Sequence, residues 1–430
     1  MANEYIGRKI AVGISAENTR GTAETAPEFW LRVLAQNHKE KADYLNSQGS
    51  IGSIVENSHA EIDKQWAEGG FEAEIDADSI GLMLLALMGD VTSTAEGDGY
   101  LHTFELDEDS ANHQSVSVWL NEPNREAVFK LACLDSLSFS FERGKILDFN
   151  ANLMSLTGET QASTVAFGEA KAFRPKDFHF YIADDIDGLD SAEEVYLREF
   201  SLEFAKNLEA DDVLGLENPK NFLNKVFSTT ASLTALYQDD TYRNLFKAGT
   251  PKAIRIELEN PNNIIKDAVK ALGSYVVVDY SALTGATVTV NGVVLTEGVE
   301  WARGASNEAC ATSLASAINA VSGVDATAST ATVNVVASVG GTAGNAIATL
   351  TGGGANLTVS GATLSGGLDA ELAKLTFDFA RVYFSEYDEG NGRDDLKTTE
   401  ITLSFAVNTE EADIQFGQIR LINEVEEYLT

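Results

Sequence analysis

Leu137, Phe139 and Phe141 alternate with Ser136, Ser138 and Ser140. After turn formers at Arg143, Gly144 and Lys145, the residues Leu147, Phe149, Ala151 and Leu153 alternate with Asp148, Asn150 and Asn152. A side-chain period of two along both arms predicts an antiparallel hairpin with one apolar face and one polar face. The device returns near the C-terminus. There Leu375, Phe377 and Phe379 alternate with Thr376, Asp378 and Ala380, and Ile401, Leu403, Phe405 and Val407 alternate with Thr402, Ser404 and Ala406. Between those arms, Glu389, Gly390, Asn391, Gly392, Arg393, Asp394 and Asp395 form a string of turn formers.

The two ribbons close a repeated order of elements. In the first half, strands are predicted at 29–36 and 65–75, a capped helix at 80–88 ending at Gly89, strands at 101–106 and 115–120, and the hairpin of 134–142 with 146–155. In the second half, strands are predicted at 195–205 and 226–236, a capped helix at 242–247 ending at Gly249, a strand at 253–258, and the hairpin of 373–384 with 398–407. A polar loop separates the first two strands each time, at 37–63 and 207–224. Loops of that length are functional or disordered. Order recurs without residue identity, which predicts a structural duplication.

Residues 280–368 differ in composition, being rich in Ala, Thr, Val and Gly and poor in charge. Strands are predicted at 287–290, 332–336 and 357–359, with a helix at 307–321 that carries Ala309, Leu314, Ala317, Ile318 and Val321 on one face. Insertion of a small domain at an exposed loop leaves the host's core intact. The expected plan is therefore a first unit at 1–166, a second at 167–279 with 369–430, and an inserted β-rich domain at 280–368.

Charge changes the picture. Among 430 residues, 66 are acidic and 30 basic, a net charge of −36. Such a surface repels phosphate backbones and excludes tight nucleic-acid binding. A hydrophobic content of 44% is that of a folded protein, so the acidity does not mean disorder. Cys133 and Cys310 fall in different predicted domains, so no structural disulfide is expected and a reducing site of synthesis fits. The first residues show no apolar export segment and no run is long enough to span a bilayer, so synthesis in the cytosol and no membrane partner are expected.

Catalytic constellations are missing. The chain has no Gly-x-Ser-x-Gly elbow, no His-Glu-x-x-His and no Cys-x-x-Cys. His38, His59, His102, His113 and His179 are scattered without ligand spacing, and hydrogen-bonding roles are expected of them. Gly340, Gly341 and Gly344 resemble a phosphate loop only by their glycines and read as a turn. Asp184, Asp185, Asp187 and Asp190 form the one cation candidate, but Gly188 comes too early for an EF-hand loop, and a solvated turn is expected. No catalytic residue, cofactor or metal site is assigned, and an enzyme is not expected.

Several stretches together resemble the tail tube (major tail) proteins of long-tailed bacteriophages. They are Ile6, Gly7, Arg8 and Lys9 through Gly21, Thr22 and Ala23 to Phe29, Trp30 and Leu31; residues 252–258; Ala380, Arg381, Val382, Tyr383 and Phe384; and residues 392–405. The insert, with residues 286–295 and 344–347, resembles a small Ig-like module of phage structural proteins. The resemblance implies a mainly β fold with a few helices: two tandem tail-tube-type β-sandwich or barrel units with one helix each, plus the inserted domain. It implies a virion tail subunit, made in the host cytoplasm, that stacks as rings into a hollow tube conducting double-stranded DNA. Tape measure and tail-tip or terminator proteins would be its other partners.

Two-faced ribbons can close, subunit by subunit, into a barrel without sheet edges. Six four-stranded units give about two dozen strands, more than the 16–18 that already leave an aqueous channel. A duplicated chain reaches six units as a pseudo-sixfold homotrimer, and an unduplicated one as a homohexamer. An anionic wall lets a duplex slide, whereas a basic one would hold it by counterion release. The lumen-facing candidates are Glu72, Glu74, Ser138, Ser140, Glu142, Asp148, Glu199, Ser201, Glu203, Thr376 and Asp378. The loops at 37–63 and 207–224 are candidates for ring–ring contacts, and the insert would project outward. The alternative class is a surface or adhesion protein with a carbohydrate- or cell-binding β-domain. That class would want an export signal and exposed aromatics in the insert, where Trp301 stands.

Overall fold

The fold is that of a computed structural model, which describes residues 6–47, 49–50, 52–54, 59–96, 99–390, 396–407 and 416–429. It is mainly β, as expected, and the chain divides into two compact units, Met1–Asn263 with Ala373–Thr430 and Ile264–Leu372.

In the first unit the strands are β1 (Ala11–Ala16), β2 (Phe29–Leu31), β3 (Val33–Gln36), β4 (Lys39–Asn46), β5 (Ala60–Glu74), β6 (Gly89–Glu96), β7 (Gly99–Leu106), β8 (Val116–Glu122), β9 (Arg125–Glu142), β10 (Asp148–Ser155) and β11 (Glu159–Thr160). They continue with β12 (Phe178–Ala183), β13 (Glu199–Ala205), β14 (Glu209–Ala210), β15 (Phe222–Leu223), β16 (Ser228–Leu236) and β17 (Lys252–Lys266). Helix α1 (Ile80–Met88) follows β5, and helix α2 (Thr241–Ala248) follows β16. Both end as the glycines require: Gly89 and Gly249 take left-handed φ values of 93° and 61° and return their N–H to Leu85 O and Leu245 O.

The second unit carries β18 (Leu272–Val277), β19 (Thr287–Val290), β20 (Val293–Thr296), α3 (Asn307–Ile318), β21 (Val324–Ser329), β22 (Thr332–Ala337), β23 (Thr349–Thr351) and β24 (Leu357–Val359). A four-stranded sheet, β21-β22-β18-β24, and a three-stranded one, β20-β19-β23, enclose a core with α3. Ser306 caps α3 by accepting from Ala309 N, and the helix buries Cys310, Ala311, Leu314 and Ile318. Strand β18 belongs to this unit, which therefore begins before residue 280. Trp301 is buried, its indole N–H on Leu295 O, so it offers no exposed platform.

The chain re-enters the first unit along β25 (Glu371–Gly390), β26 (Thr398–Phe405) and β27 (Gln418–Asn423). The expected turn and resemblance residues at 391–395 lie outside the described residues. One antiparallel sheet then runs through eight positions: β3 and β4 along β5, then β10, β9, β13, β16, β26 and the C-terminal part of β25. Each half contributes four of these in the same order. The first strand of the half pairs with the second, the second with the hairpin's return arm, and that arm with its partner. The halves join where β9 pairs with β13.

The apolar face of this sheet is the core. Phe139 meets Phe377 at 5.3 Å, Phe141 meets Phe178 at 5.1 Å, and Phe200 meets Phe180 at 5.4 Å. Burying each such ring stabilises by about 1.5–3 kcal/mol. The covering layer contains α1, all nine of whose residues are buried, and the strands β12, β17, β27 and β7, with β25 passing between layers.

Two expectations are corrected here. Part of the polar stretch at 37–63 is not a loop. Strand β4 pairs with the first half of β5 from Lys39↔Glu68 to Asn46↔Ala60, forming a two-stranded arm. The closing hairpin is also displaced: Thr398–Phe405 pairs with 382–390, while 374–378 pairs with β27. The change of partner falls between Asp378 and Val382, and a bulge between Phe384 and Glu386 interrupts the pairing with β26.

Candidate functional site

The outer face of the eight-stranded sheet collects the polar half of every alternation. Glu72 and Glu74 come from β5, Asp148 and Asn150 from β10, and Ser138, Ser140 and Glu142 from β9. Glu199, Ser201 and Glu203 come from β13, Thr230, Ser232 and Thr234 from β16, and Glu400, Thr402 and Ser404 from β26. The pairing sets them in rows. Asp148 stands opposite both Glu74 and Ser140, Glu142 opposite Glu199, Glu203 opposite Ser138 and Thr230, and Glu400 opposite Asp388. Ser201 and Ser232 share a hydroxyl hydrogen bond of 2.7 Å.

Carboxylates directly across a ladder repel one another. Partial burial, and then the charge of Glu72, push the Asp148 carboxyl above its ordinary value. Cations sit at the margins: Lys145, in the turn after β9, pairs with Glu142, and Arg381 lies over Tyr383 on β25. The face is thus acidic and hydroxyl-rich, and nine of the eleven candidate residues lie on it.

Thr376 and Asp378 do not, and their expected place is corrected. They stand on the N-terminal part of β25, in the covering layer beside β27, and both are buried at 3% exposure. Asp378 is held by Arg255 Nε at 2.6 Å and Arg420 Nη2 at 2.6 Å. Period two is the same in either layer, so alternation could not reveal which one this segment enters.

The remaining candidates have structural partners. Asp184 pairs with Lys252, Asp190 with Arg255, and Asp185 accepts from Gly188 N, so the acidic loop is tied to β17. His38 bonds Ser155 Oγ, His102 bonds Asn423 and Ser93, and His113 bonds Leu87 O and Asp107 O. Burial lowers the pKa of all three. The glycine turn is held by Asp369, which accepts from Thr342 N and Oγ1. The second candidate ring-contact stretch, 207–224, is tied to β5 just beyond the first, through Lys64–Asp212 at 2.5 Å and Gln65 N to Glu217 O at 2.8 Å.

Two buried groups had no signal in the sequence. Glu17 accepts from Gly21 N, Leu131 N, Ser115 Oγ and Ser117 Oγ, which anchors the N-terminal segment. Lys206 is 2% exposed and gives its Nζ to Ala86 O in the last turn of α1 at 2.8 Å. Burial pulls its pKa down to about 7. The sheet also ends in two exposed strands. Among the described residues, β3 pairs with β5 alone, and β26 is the partner of β25 over 382–390.

A family model described as phage tail tube protein matches residues 7–292. The chain belongs to this family. As a tail tube protein it is a structural component of the virion tail, in a family whose members assemble into the tube. The match spans both strand sets up to β17 and runs into the second unit, while β25, β26 and β27 lie beyond it. No curated protein matches the chain.

Proposed function

We propose that three copies of the chain close edge to edge into a pseudo-sixfold ring, that rings stack into the tail tube, and that the acidic face lines the channel for double-stranded DNA. The observation that carries this is the β9–β13 junction. Inside one chain, the last strand of the first half already pairs antiparallel with the first strand of the second. The exposed strands β25 and β3 are the counterparts of that pair, and strand directions alternate across all eight positions. A β25–β3 contact between copies would repeat the internal junction and leave no sheet edge.

Three chains then supply about two dozen strands, beyond the 16–18 that open an aqueous channel. The apolar face is already covered within each chain, so the polar face is the one available for the bore. Glu72, Glu74, Ser138, Ser140, Glu142, Asp148, Glu199, Ser201 and Glu203 are its proposed lining, joined by Thr230, Ser232, Thr234, Glu400, Thr402 and Ser404. Their charge keeps the passing duplex in solution rather than on the wall. The β4–β5 arm, with Tyr44 and Leu45 exposed, and the adjoining 207–224 segment are the proposed ring–ring contacts. The second unit would face outward. A tape measure protein inside the bore and tail-tip or terminator proteins at its ends complete the partner set, with synthesis in the host cytoplasm.

Negative-stain microscopy with native mass spectrometry of the purified protein tests this. Rings or tubes whose unit has three times the 46.1 kDa chain mass are expected. Rings of six chains, or monomers at every concentration, would overturn the trimer.

A further inference from the structure

Helices α1 and α2 occupy matching places behind the sheet. Ala86 and Phe246 each stand three residues before the closing glycine, Gly89 or Gly249. Yet their surroundings differ. Helix α1 is buried throughout, and its last turn is held from the next strand along, since Lys206 directly follows β13 and bonds Ala86 O. Helix α2 packs on β25 through Tyr242 on Phe384 and Phe246 on Tyr387, at 6.4 and 6.3 Å, but none of its residues is buried. Phe246 is 39% exposed.

Beside β3, the strand that would come next in a closed ring, lies a cavity of about 330 Å³. Its walls include Gln36, His38, Glu40, Leu120, Arg125 and Phe129. Gln36 keeps a buried Oε1 with no hydrogen-bond partner. Leaving such an acceptor unsatisfied costs about 1–3 kcal/mol in general, which marks a surface built to meet a donor. Lys39, and Arg125 within its ion pair to Glu40 at 2.8 Å, supply positive charge suited to a helix C-terminus, and Glu122 suits the Lys247 ammonium of α2.

We infer that the last turn of α2 of one copy docks in this cavity of the next copy, with Phe246 as its plug and the cations of the cavity doing for α2 what Lys206 does for α1. The inference rests on the proposed ring closure and adds to it a specific socket. It makes α2 the element that commits a chain to its neighbour from behind the sheet, where the lumen is not involved.

Two engineered cysteine pairs separate the possibilities, with a short bis-maleimide added to assembled protein. The native Cys133 and Cys310 are buried. Ala35→Cys with Asp388→Cys reports the strand edges, and Lys39→Cys with Ala248→Cys, which keeps Phe246 in place on the last turn of α2, reports the socket. Cyclic covalent trimers from both pairs are expected. Linkage by the edge pair without the socket pair overturns the docking and leaves ring closure standing. Linkage by neither overturns ring closure, and the docking with it. In parallel, Phe246→Ala should raise the concentration at half-assembly by roughly three- to tenfold, the worth of burying the 39% of that side chain left exposed in the free chain. Phe246→Leu should restore most of it, with the melting of the isolated chain unchanged. An unchanged assembly midpoint for Phe246→Ala refutes the plug.

Discussion

Gly81, the second residue of α1, has no room for a side chain. A Cβ built there would lie 2.0 Å from Tyr428 Cζ and 2.4 Å from its Oη. Tyr428 is 2% exposed, its hydroxyl donates to Asp78 O at 2.6 Å and accepts from Asn423 Nδ2 at 2.5 Å, and its ring meets the edge of His102 at 4.8 Å. The tyrosine thus seats the C-terminal segment on α1. Gly81→Ala favours the helix by up to about 1 kcal/mol but evicts a buried ring worth about 3–5 kcal/mol. A net loss of about 2–4 kcal/mol is expected. Tyr428→Ala alone should cost about 3–5 kcal/mol. In the Tyr428→Ala background the obstacle is gone, so Gly81→Ala should become neutral or stabilising, a reversal of sign. Urea denaturation of the four proteins of this double-mutant cycle, followed by tryptophan fluorescence, measures the coupling. Equal costs of Gly81→Ala in both backgrounds would refute the steric account.

Lys206 gives a pH prediction. With its pKa lowered to about 7 in the folded chain against 10.5 ordinarily, folding expels a proton between those values. Stability from this group therefore rises with pH from about 7 towards 10.5, and Lys206→Met should flatten that rise in denaturation series across the range. Asp378→Ala leaves Arg255 paired with Asp190 but takes the buried carboxylate from Arg420, and should cost about 1–3 kcal/mol in the same assay; a surface-like effect below about 0.5 kcal/mol would contradict its burial. Glu199→Lys with Glu203→Lys should turn tubes that ignore duplex DNA into tubes that retain it, with a retention constant falling log-linearly with salt. Retention that does not change, or does not respond to salt, would speak against a DNA-facing wall.

Strand positions and faces were readable wherever alternation was strong and one face was buried. Phe200, Leu202 and Phe204 against Glu199, Ser201 and Glu203 placed β13 without ambiguity, as Gly89 and Gly249 placed the ends of both helices. The arm β4 hid because Lys39–Asn46 is mostly exposed on both faces, so no apolar stripe marks it. Strand β25 misled for the opposite reason. Its alternation runs through two layers, and Asp378 is neutralised by arginines from β17 and β27, elements remote in sequence. The join of β9 to β13 is likewise a long-range pairing, which local pattern does not encode.

A cryo-electron microscopy reconstruction of the assembled tube tests the central claim most directly. Each ring should show threefold symmetry and a continuous sheet passing from β25 of one chain to β3 of the next, with Glu72, Asp148, Glu199 and Glu203 projecting into the bore. A sixfold ring, or a bore lined by lysine and arginine with those carboxylates turned to the outside, would contradict it.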